Sequence, residues 1–151
     1  MKAVIQRVKG AFVTVDNECI SKIENGLFIL LGVGSDDSEE DAVILARKTA
    51  NLRIFEDQDQ KMNMSVLDTC GEVLVVSQFT LLADTKKGNR PSFINAKEPN
   101  EADRLYNLYM SELGVNGVKT VKKGKFGADM LCNINNDGPV TIILDTSIWR
   151  K

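Results

Sequence analysis

Four consecutive residues, Ser77, Gln78, Phe79 and Thr80, bring two hydroxyls, an amide and an aromatic ring to the end of a strongly apolar run. Ligand sites in α/β proteins usually lie at strand ends and in the loops that follow them, so this segment is the first candidate for chemistry. Ser and Thr are also common at strand ends for structural reasons, which makes core packing the competing interpretation. Alternation along a strand would place Ser77 and Phe79 on one face and Gln78 and Thr80 on the other. The four side chains would then not share a pocket, and backbone N–H groups would matter more.

A second candidate is the Gly138-Pro139 pair, which stands between two runs that are typical of strands. Proline has no N–H and glycine tolerates dihedral angles closed to other residues, so the pair can turn two carbonyl oxygens toward a pocket. An ordinary strand connection is the competing interpretation. Arg7 is a cation inside an otherwise apolar strand, and if it points inward it requires carbonyl or carboxylate partners. Gly138 and Pro139 could supply those carbonyls.

The chain contains no histidine. Histidine is the usual general base near neutral pH, so Ser-His and Cys-His relays are excluded, as are histidine metal sites. The three cysteines are widely spaced and form no CxxC motif, which argues against a disulfide framework and a zinc site. If the protein is an enzyme, its base lies elsewhere.

The length of 151 residues fits one domain over 1–151, and 43% apolar with 26% charged residues is typical of a globular protein. The longest apolar run, at 26–34, is shorter than the roughly 20 residues that span a bilayer. The first ten residues resemble a strand and not an export signal. We therefore expect a cytoplasmic protein with no membrane partner.

The order of elements predicts an α/β domain in which a strongly twisted, barrel-like mixed sheet carries two helices. Two short strands should meet at Lys9-Gly10, and a capping box at Ser38 should start a helix that runs to about Ile54. The second helix should begin near Asn100 with Gly114 as its C′ residue. The remaining strands are expected at 26–34, 72–82, 118–121, 128–134 and 140–144.

Basic residues cluster although the net charge is only −2. A solvated surface is the default interpretation of short lysine runs, but one face could meet a phosphate backbone. The candidate phosphate contacts are Lys86, Lys87, Arg90, Lys122, Lys123 and Lys125.

The motifs QRV, SQFTL, KGNRPSF, FGADM and NDGPVT, taken in this order along the chain, resemble those of the D-aminoacyl-tRNA deacylases. The SQFTL and GPVT blocks are signatures of that family, and the resemblance covers essentially the whole chain. It implies an esterase that removes D-amino acids from the 3′ acceptor end of tRNA, acts as a homodimer and uses no metal or other cofactor.

The resemblance also implies roles for residues. The Gly138-Pro139 peptide would be cis and would reach into the site of the partner subunit, where its carbonyls exclude L-amino acids, with Arg7 anchoring that loop. Asn136 and Met130 would complete the selectivity region. Glycyl-tRNA would be accepted, because excluding one hand does not exclude an achiral substrate.

Catalysis without histidine is chemically reasonable for an aminoacyl ester, which is already activated. The neighbouring ribose hydroxyl can help to activate water, and the N–H groups of Phe79 and Thr80 can stabilise the oxyanion. A covalent role for Thr80 Oγ is the rival mechanism, and it lacks an obvious base. From a different class, the alternative is a non-catalytic RNA-binding or dimeric scaffold module that uses the basic clusters.

Overall fold

The computed structural model describes residues 1–150, which form eight strands, two α-helices and two short 3₁₀ turns. The elements are β1 (Lys2–Val15), β2 (Glu18–Ile23), β3 (Gly26–Gly32), α1 (Glu39–Ala50), β4 (Phe55–Glu56), β5 (Met62–Met64), β6 (Glu72–Ser77), a 3₁₀ turn (Phe79–Leu82), α2 (Pro99–Val115), β7 (Val121–Lys123), β8 (Leu131–Asp145) and a second 3₁₀ turn (Thr146–Ile148). Within 1–150 no helix combines the length and the apolarity that crossing a membrane requires.

The long strand β1 organises a mixed six-stranded sheet. One edge of β1 pairs with β3 and then with β2, and its other edge pairs with β8 along nearly its whole length. These pairs are antiparallel, whereas β3–β6 and β6–β7 are parallel. The sheet folds over itself, because apolar side chains from the second half of β1 and from β8 pack on Phe28, Leu74 and Val76. The predicted barrel-like mixed sheet is therefore confirmed.

The two helices cover the opposite face of β3 and β6 and form the larger core with them. Asp41 caps the first turn of α1, where the Ser38 N–H donates to its carboxylate at 2.9 Å. The predicted end of α1 at Ile54 was four residues too late, because the chain leaves the helix after Ala50 toward the β4–β5 hairpin. Gly114 lies inside α2, and the positive φ of 104° that ends this helix belongs to Gly117.

Three strand predictions were wrong in an instructive way. The two short strands expected at Lys9-Gly10 are the single strand β1, in which Lys9 is an extra residue relative to β8. The strands expected at 128–134 and 140–144 are likewise one strand, β8, so the chain does not reverse at Gly138-Pro139. The strand expected at 118–121 begins at Val121. The first two errors share one cause: an irregular residue inside a long strand resembles a turn in the sequence.

Candidate active site

A cavity of about 310 Å³ opens at the carboxyl end of β6. The predicted strand to Leu82 stops at Ser77, where the chain turns into the 3₁₀ segment Phe79–Leu82. The expected alternation of faces therefore fails, and Ser77, Gln78 and Phe79 all line the same cavity. Thr80 is not among the lining residues, so the expectation that the four side chains do not all share one pocket is not contradicted, although the extended backbone on which it rested is not what the segment adopts.

The turn after β6 leaves two backbone donors unused. The Gln78 N–H completes the sheet by donating to Leu31 O at 2.8 Å, and the Leu81 N–H donates back to Gln78 O at 3.2 Å. The N–H groups of Phe79 and Thr80 lie between these bonds and have no acceptor within residues 1–150. Two adjacent free N–H groups at a cavity are the arrangement that can hold a developing oxyanion.

The Thr80 hydroxyl is engaged by its neighbour, since Gln78 Nε2 donates to Thr80 Oγ1. An amide nitrogen that donates cannot take a proton, so this contact orients the hydroxyl without activating it. Phe79 is 58% exposed, and its ring meets that of Phe93 edge-on with 5.0 Å between centroids. The pair of rings stands beside the mouth of the cavity.

The segment 126–130, which includes Met130, also lines the cavity. Met130 was singled out from the sequence, whereas Lys97, Tyr106 and Cys132 were missed as lining residues. Tyr106 donates to Val75 O at 2.7 Å, and burial raises the pKa of its phenol. Tyr106 lies on the apolar stripe of α2, so its position in the sequence indicated only core packing.

The Gly138-Pro139 pair lies in a bulge of β8 that is opposite Arg7. Pairing with β1 passes from Gln6–Thr141 directly to Val8–Asn136, so residues 137–140 leave the ladder. The Gly138-Pro139 peptide is cis, and Asn136, Gly138 and Pro139 are all exposed.

Arg7 is buried beneath this bulge with 6% of its surface exposed. Its Nε donates to Asp137 O at 3.2 Å and its NH1 to Ile54 O at 2.8 Å. The sequence suggested the carbonyls of Gly138 and Pro139 as partners, and this detail was wrong: Arg7 holds the carbonyl that precedes the pair. Its charge is balanced by Asp137 Oδ2 at 3.4 Å and Glu56 Oε1 at 4.0 Å.

The bulge and the cavity do not meet within one chain. Cys132, near the start of β8, reaches the cavity, but none of the residues 136–140 lines it. Neither Arg7 nor Asn136 lines the cavity.

None of the six predicted phosphate contacts lines the cavity itself. Lys122 and Lys123 end β7, and the N–H of Lys125 donates to Met130 Sδ at 3.4 Å. Lys86, Lys87 and Arg90 lie on the loop between the 3₁₀ turn and α2. None of these six cations has a carboxylate oxygen within 4.0 Å in the part of the chain that the structure describes. In the same residues, 1–150, no cluster of three acidic or cysteine side chains is suited to a metal.

Comparison with known proteins identifies the family. The family model described as D-Tyr-tRNA(Tyr) deacylase matches residues 4–145. The chain belongs to the D-aminoacyl-tRNA deacylase family. A D-aminoacyl-tRNA deacylase of Dehalococcoides mccartyi is 56% identical over 97% of this chain and 95% of its own. The resemblance inferred from the SQFTL and GPVT blocks is confirmed.

Solved structures agree with this deacylase fold. A structure of the "c-Myc DNA Unwinding Element Binding Protein" is 45% identical, with a TM-score of 0.90 over 96% of this chain and 98% of that one. A structure of a "probable eukaryotic D-amino acid tRNA deacylase" is only 16% identical, yet it reaches a TM-score of 0.80 over 95% and 97%. At that identity the likeness shows the fold alone.

Proposed function

We propose that the protein hydrolyses the ester bond of D-aminoacyl-tRNA and releases a free D-amino acid and tRNA. The main support for this proposal is the pair of free N–H groups at Phe79 and Thr80 beside the cavity. Water attacks the ester carbonyl carbon, the two N–H groups stabilise the oxyanion, and the C–O bond to the ribose then breaks. The ribose oxygen leaves with a proton. Because the substrate is an aminoacyl-tRNA, the place of action is the cytoplasm.

The proton transfer is assigned to the substrate and not to a side chain. The chain has no histidine. The side-chain amide of Gln78 donates a hydrogen bond to the Thr80 hydroxyl, and an amide cannot act as a base for it. The ribose hydroxyl next to the ester lies close to the reacting carbon in every aminoacyl-tRNA, so it can orient the attacking water and relay its proton. The enzyme then contributes positioning and the oxyanion donors.

Chiral selection is assigned to Gly138 and Pro139 acting across a homodimer. Within one chain the pair does not line the cavity, but it lies in an exposed bulge on a strand whose outer edge is unpaired in residues 1–150. Leu131 and Ile143 on the same strand are 66% and 70% exposed, which is apolar surface that a second copy would cover. In that dimer the carbonyls of Gly138 and Pro139 accept the α-ammonium and occupy the space that an L side chain needs.

Parallel incubation with D-aminoacyl-tRNA, the matching L-aminoacyl-tRNA and glycyl-tRNA tests the proposal. Release from the D and glycyl substrates, with the L substrate intact, is expected. Release from none of the three would favour the non-catalytic nucleic-acid-binding alternative, whereas release from D and L alike would remove the chiral role.

Sedimentation addresses the dimer separately. We expect a dimer at micromolar concentration, because the proposed selectivity element must come from a partner. A fully active and selective monomer would refute the action in trans and leave the hydrolysis itself intact.

A further inference from the structure

A second open groove, of about 670 Å³, lies between β2, α2 and β7. Three charged side chains line it, and all of them are lysines: Lys22, Lys122 and Lys123. Ser21 and Ser111 add hydroxyls to the same lining. A concave surface with only positive charge and neutral hydrogen-bonding groups suits an anionic backbone.

Two of the three lysines are held in position by hydrogen bonds to uncharged partners. Lys122 Nζ donates to the carbonyl oxygen of Lys22 at 2.7 Å, and Lys123 Nζ lies 3.4 Å from Asn107 Oδ1. Both partners are neutral, so the ammonium groups keep their full charge for a ligand. Lys22 is 3.8 Å from Glu24, an exposed pair that water screens strongly.

The groove leads to the cavity along a continuous segment of chain. Strand β7 runs parallel to β6, and only two residues, Gly124 and Lys125, separate Lys123 from Phe126, which lines the cavity. That segment spans at most about 10 Å. A polyanion bound at Lys123 would therefore lie within about 10 Å of a residue that lines the cavity.

The lining of the groove favours a duplex over a single strand. Its apolar members are aliphatic or sulfur-containing, and it offers no aromatic ring on which an unpaired base could stack. Double-stranded RNA is bound mainly through phosphates and 2′-hydroxyls, which lysines and serines can contact. The loop that carries Lys86, Lys87 and Arg90 is a poorer match, because Asp84 lies in it and accepts from the Lys86 N–H at 2.9 Å.

We propose that the groove formed by β2, β7 and α2 binds the double-stranded acceptor stem of the tRNA, with Lys22, Lys122 and Lys123 contacting its phosphates. The proposal rests on the proposed function, and it assigns the stem to one of the two basic clusters. The single-stranded end then enters the cavity from the side of Lys125.

The test replaces Lys22, Lys122 and Lys123 together by glutamine, which removes charge and keeps side-chain length. The matched comparison is the triple replacement of Lys86, Lys87 and Arg90 by glutamine. Binding of uncharged tRNA is measured by fluorescence anisotropy over a range of salt concentrations. KM is measured both for D-aminoacyl-tRNA and for a D-aminoacyl-adenosine ester, which has no stem.

For the groove variant we expect tRNA affinity to fall roughly 60-fold at 0.15 M salt, since each lost phosphate contact costs about fourfold through counterion release. The slope of log affinity against log salt should drop by about 3. The ratio of KM for tRNA to KM for the adenosine ester should rise by a similar factor. The loop variant should change all three quantities much less.

Unchanged affinity and slope in the groove variant would overturn the assignment, as would an equal or larger loss in the loop variant. A parallel rise in both KM values would also overturn it, because damage at the cavity does not require a stem. A wild-type protein that hydrolyses neither substrate would refute the proposed function. The anisotropy measurements would still decide whether the groove binds the stem.

Discussion

Two interruptions of regular strand structure are assigned opposite tasks in this molecule. After β6 the chain turns at Ser77 into a 3₁₀ segment in which Phe79 and Thr80 are exposed and their N–H groups have no acceptor within residues 1–150. In β8 the residues 137–140 bulge outward, but a buried guanidinium holds the base of the bulge from below. The proposed catalysis requires only two N–H groups that are free to donate. The proposed exclusion of L-amino acids requires a rigid backbone, because flexible carbonyl groups would move aside for an L side chain.

The difference also explains which side chains each region requires. In the proposed mechanism the β6 turn acts through backbone N–H groups, so many side-chain changes should be tolerated there. The bulge depends on particular residues, because Gly138 has a φ of +123° and Arg7 alone reaches the carbonyls of both Ile54 and Asp137. Substitutions in the bulge should therefore reduce activity more than substitutions in the turn.

The largest effect is expected for Gly138→Ala. A Cβ at this position would lie 2.9 Å from Val140 Cγ2 and 3.1 Å from Arg7 NH2, in a backbone conformation that L residues rarely adopt. The bulge must shift, and displacement of a positioning group by about 1 Å can cost roughly 100-fold in rate. We expect kcat/KM for D-aminoacyl-tRNA to fall by about that factor, as measured from initial rates at substrate concentrations below KM. The affinity for tRNA should stay nearly unchanged.

Gly117→Ala is the matched control. Its φ of +104° imposes the same kind of backbone strain, but a Cβ there meets only Leu67 at an ordinary 3.5 Å, far from both regions. Equal losses of activity in the two variants would mean that general destabilisation, and not the position of the bulge, limits the reaction.

The second effect is expected for Arg7→Ala. Removal of the guanidinium leaves two carbonyls and two carboxylates without their Arg7 partner. The free energy of unfolding should therefore fall by about 3 kcal/mol. Thermal unfolding should shift down by roughly 6–12 °C. The protein should remain folded, and the ratio of kcat/KM for D over L substrates should fall.

Lys9→Ala provides the contrast, because Lys9 Nζ contacts the same Asp137 carboxylate at 3.5 Å from an exposed position. Surface ion pairs contribute about 0–1 kcal/mol, so little change in stability or selectivity is expected. If Arg7→Ala kept full chiral selectivity, the bulge would not depend on its buried clamp.

The sequence predicted most of the architecture and singled out both regions as candidates, but it did not predict their backbone geometry. Periodicity located the helices and the buried strands, since apolar burial on one face leaves a direct signal at that level. The bulge at 137–140 and the turn at Ser77 carry no such signal. Both depend on which neighbouring strand supplies the hydrogen bonds, and that pairing is set by residues distant in the chain.

The partners of Arg7 illustrate the same limit. A buried cation in a strand indicated carbonyl acceptors, and the GPVT block was the nearest plausible source. The Ile54 carbonyl could not be foreseen, because it comes from the end of a connector that contains no recognisable motif. Likewise Tyr106 and Cys132 line the cavity from positions whose sequence pattern indicates only core packing.

A smaller effect is expected for Thr80→Val. If the backbone N–H groups and the ribose hydroxyl carry the reaction, the rate should fall by less than about tenfold, whereas loss of an obligatory nucleophile costs about a millionfold. A substrate that ends in 2′-deoxyadenosine, with its ester on the 3′ oxygen, should react poorly with either protein. An inactive but folded Thr80→Val protein, together with a reactive deoxy substrate, would reverse this assignment.

The smallest effect is expected for Cys132→Ser, and it tests whether the reaction depends on the thiol in the lining of the cavity. Cys132 lines the cavity and is half-buried, and burial raises the pKa of its thiol. A raised pKa keeps the thiol protonated at neutral pH, so the thiolate that a nucleophile or base requires is scarce. Serine keeps the size and a hydrogen-bonding group, and kcat should therefore stay within about twofold of the wild type, a difference of only ~0.4 kcal/mol in the barrier. Rates of both proteins measured from pH 6.5 to 8.5 should run parallel. In a thiolate mechanism the rate of the wild type would instead rise with pH relative to that of the variant. Such a divergence would show that the cavity, like the bulge, depends on a particular side chain.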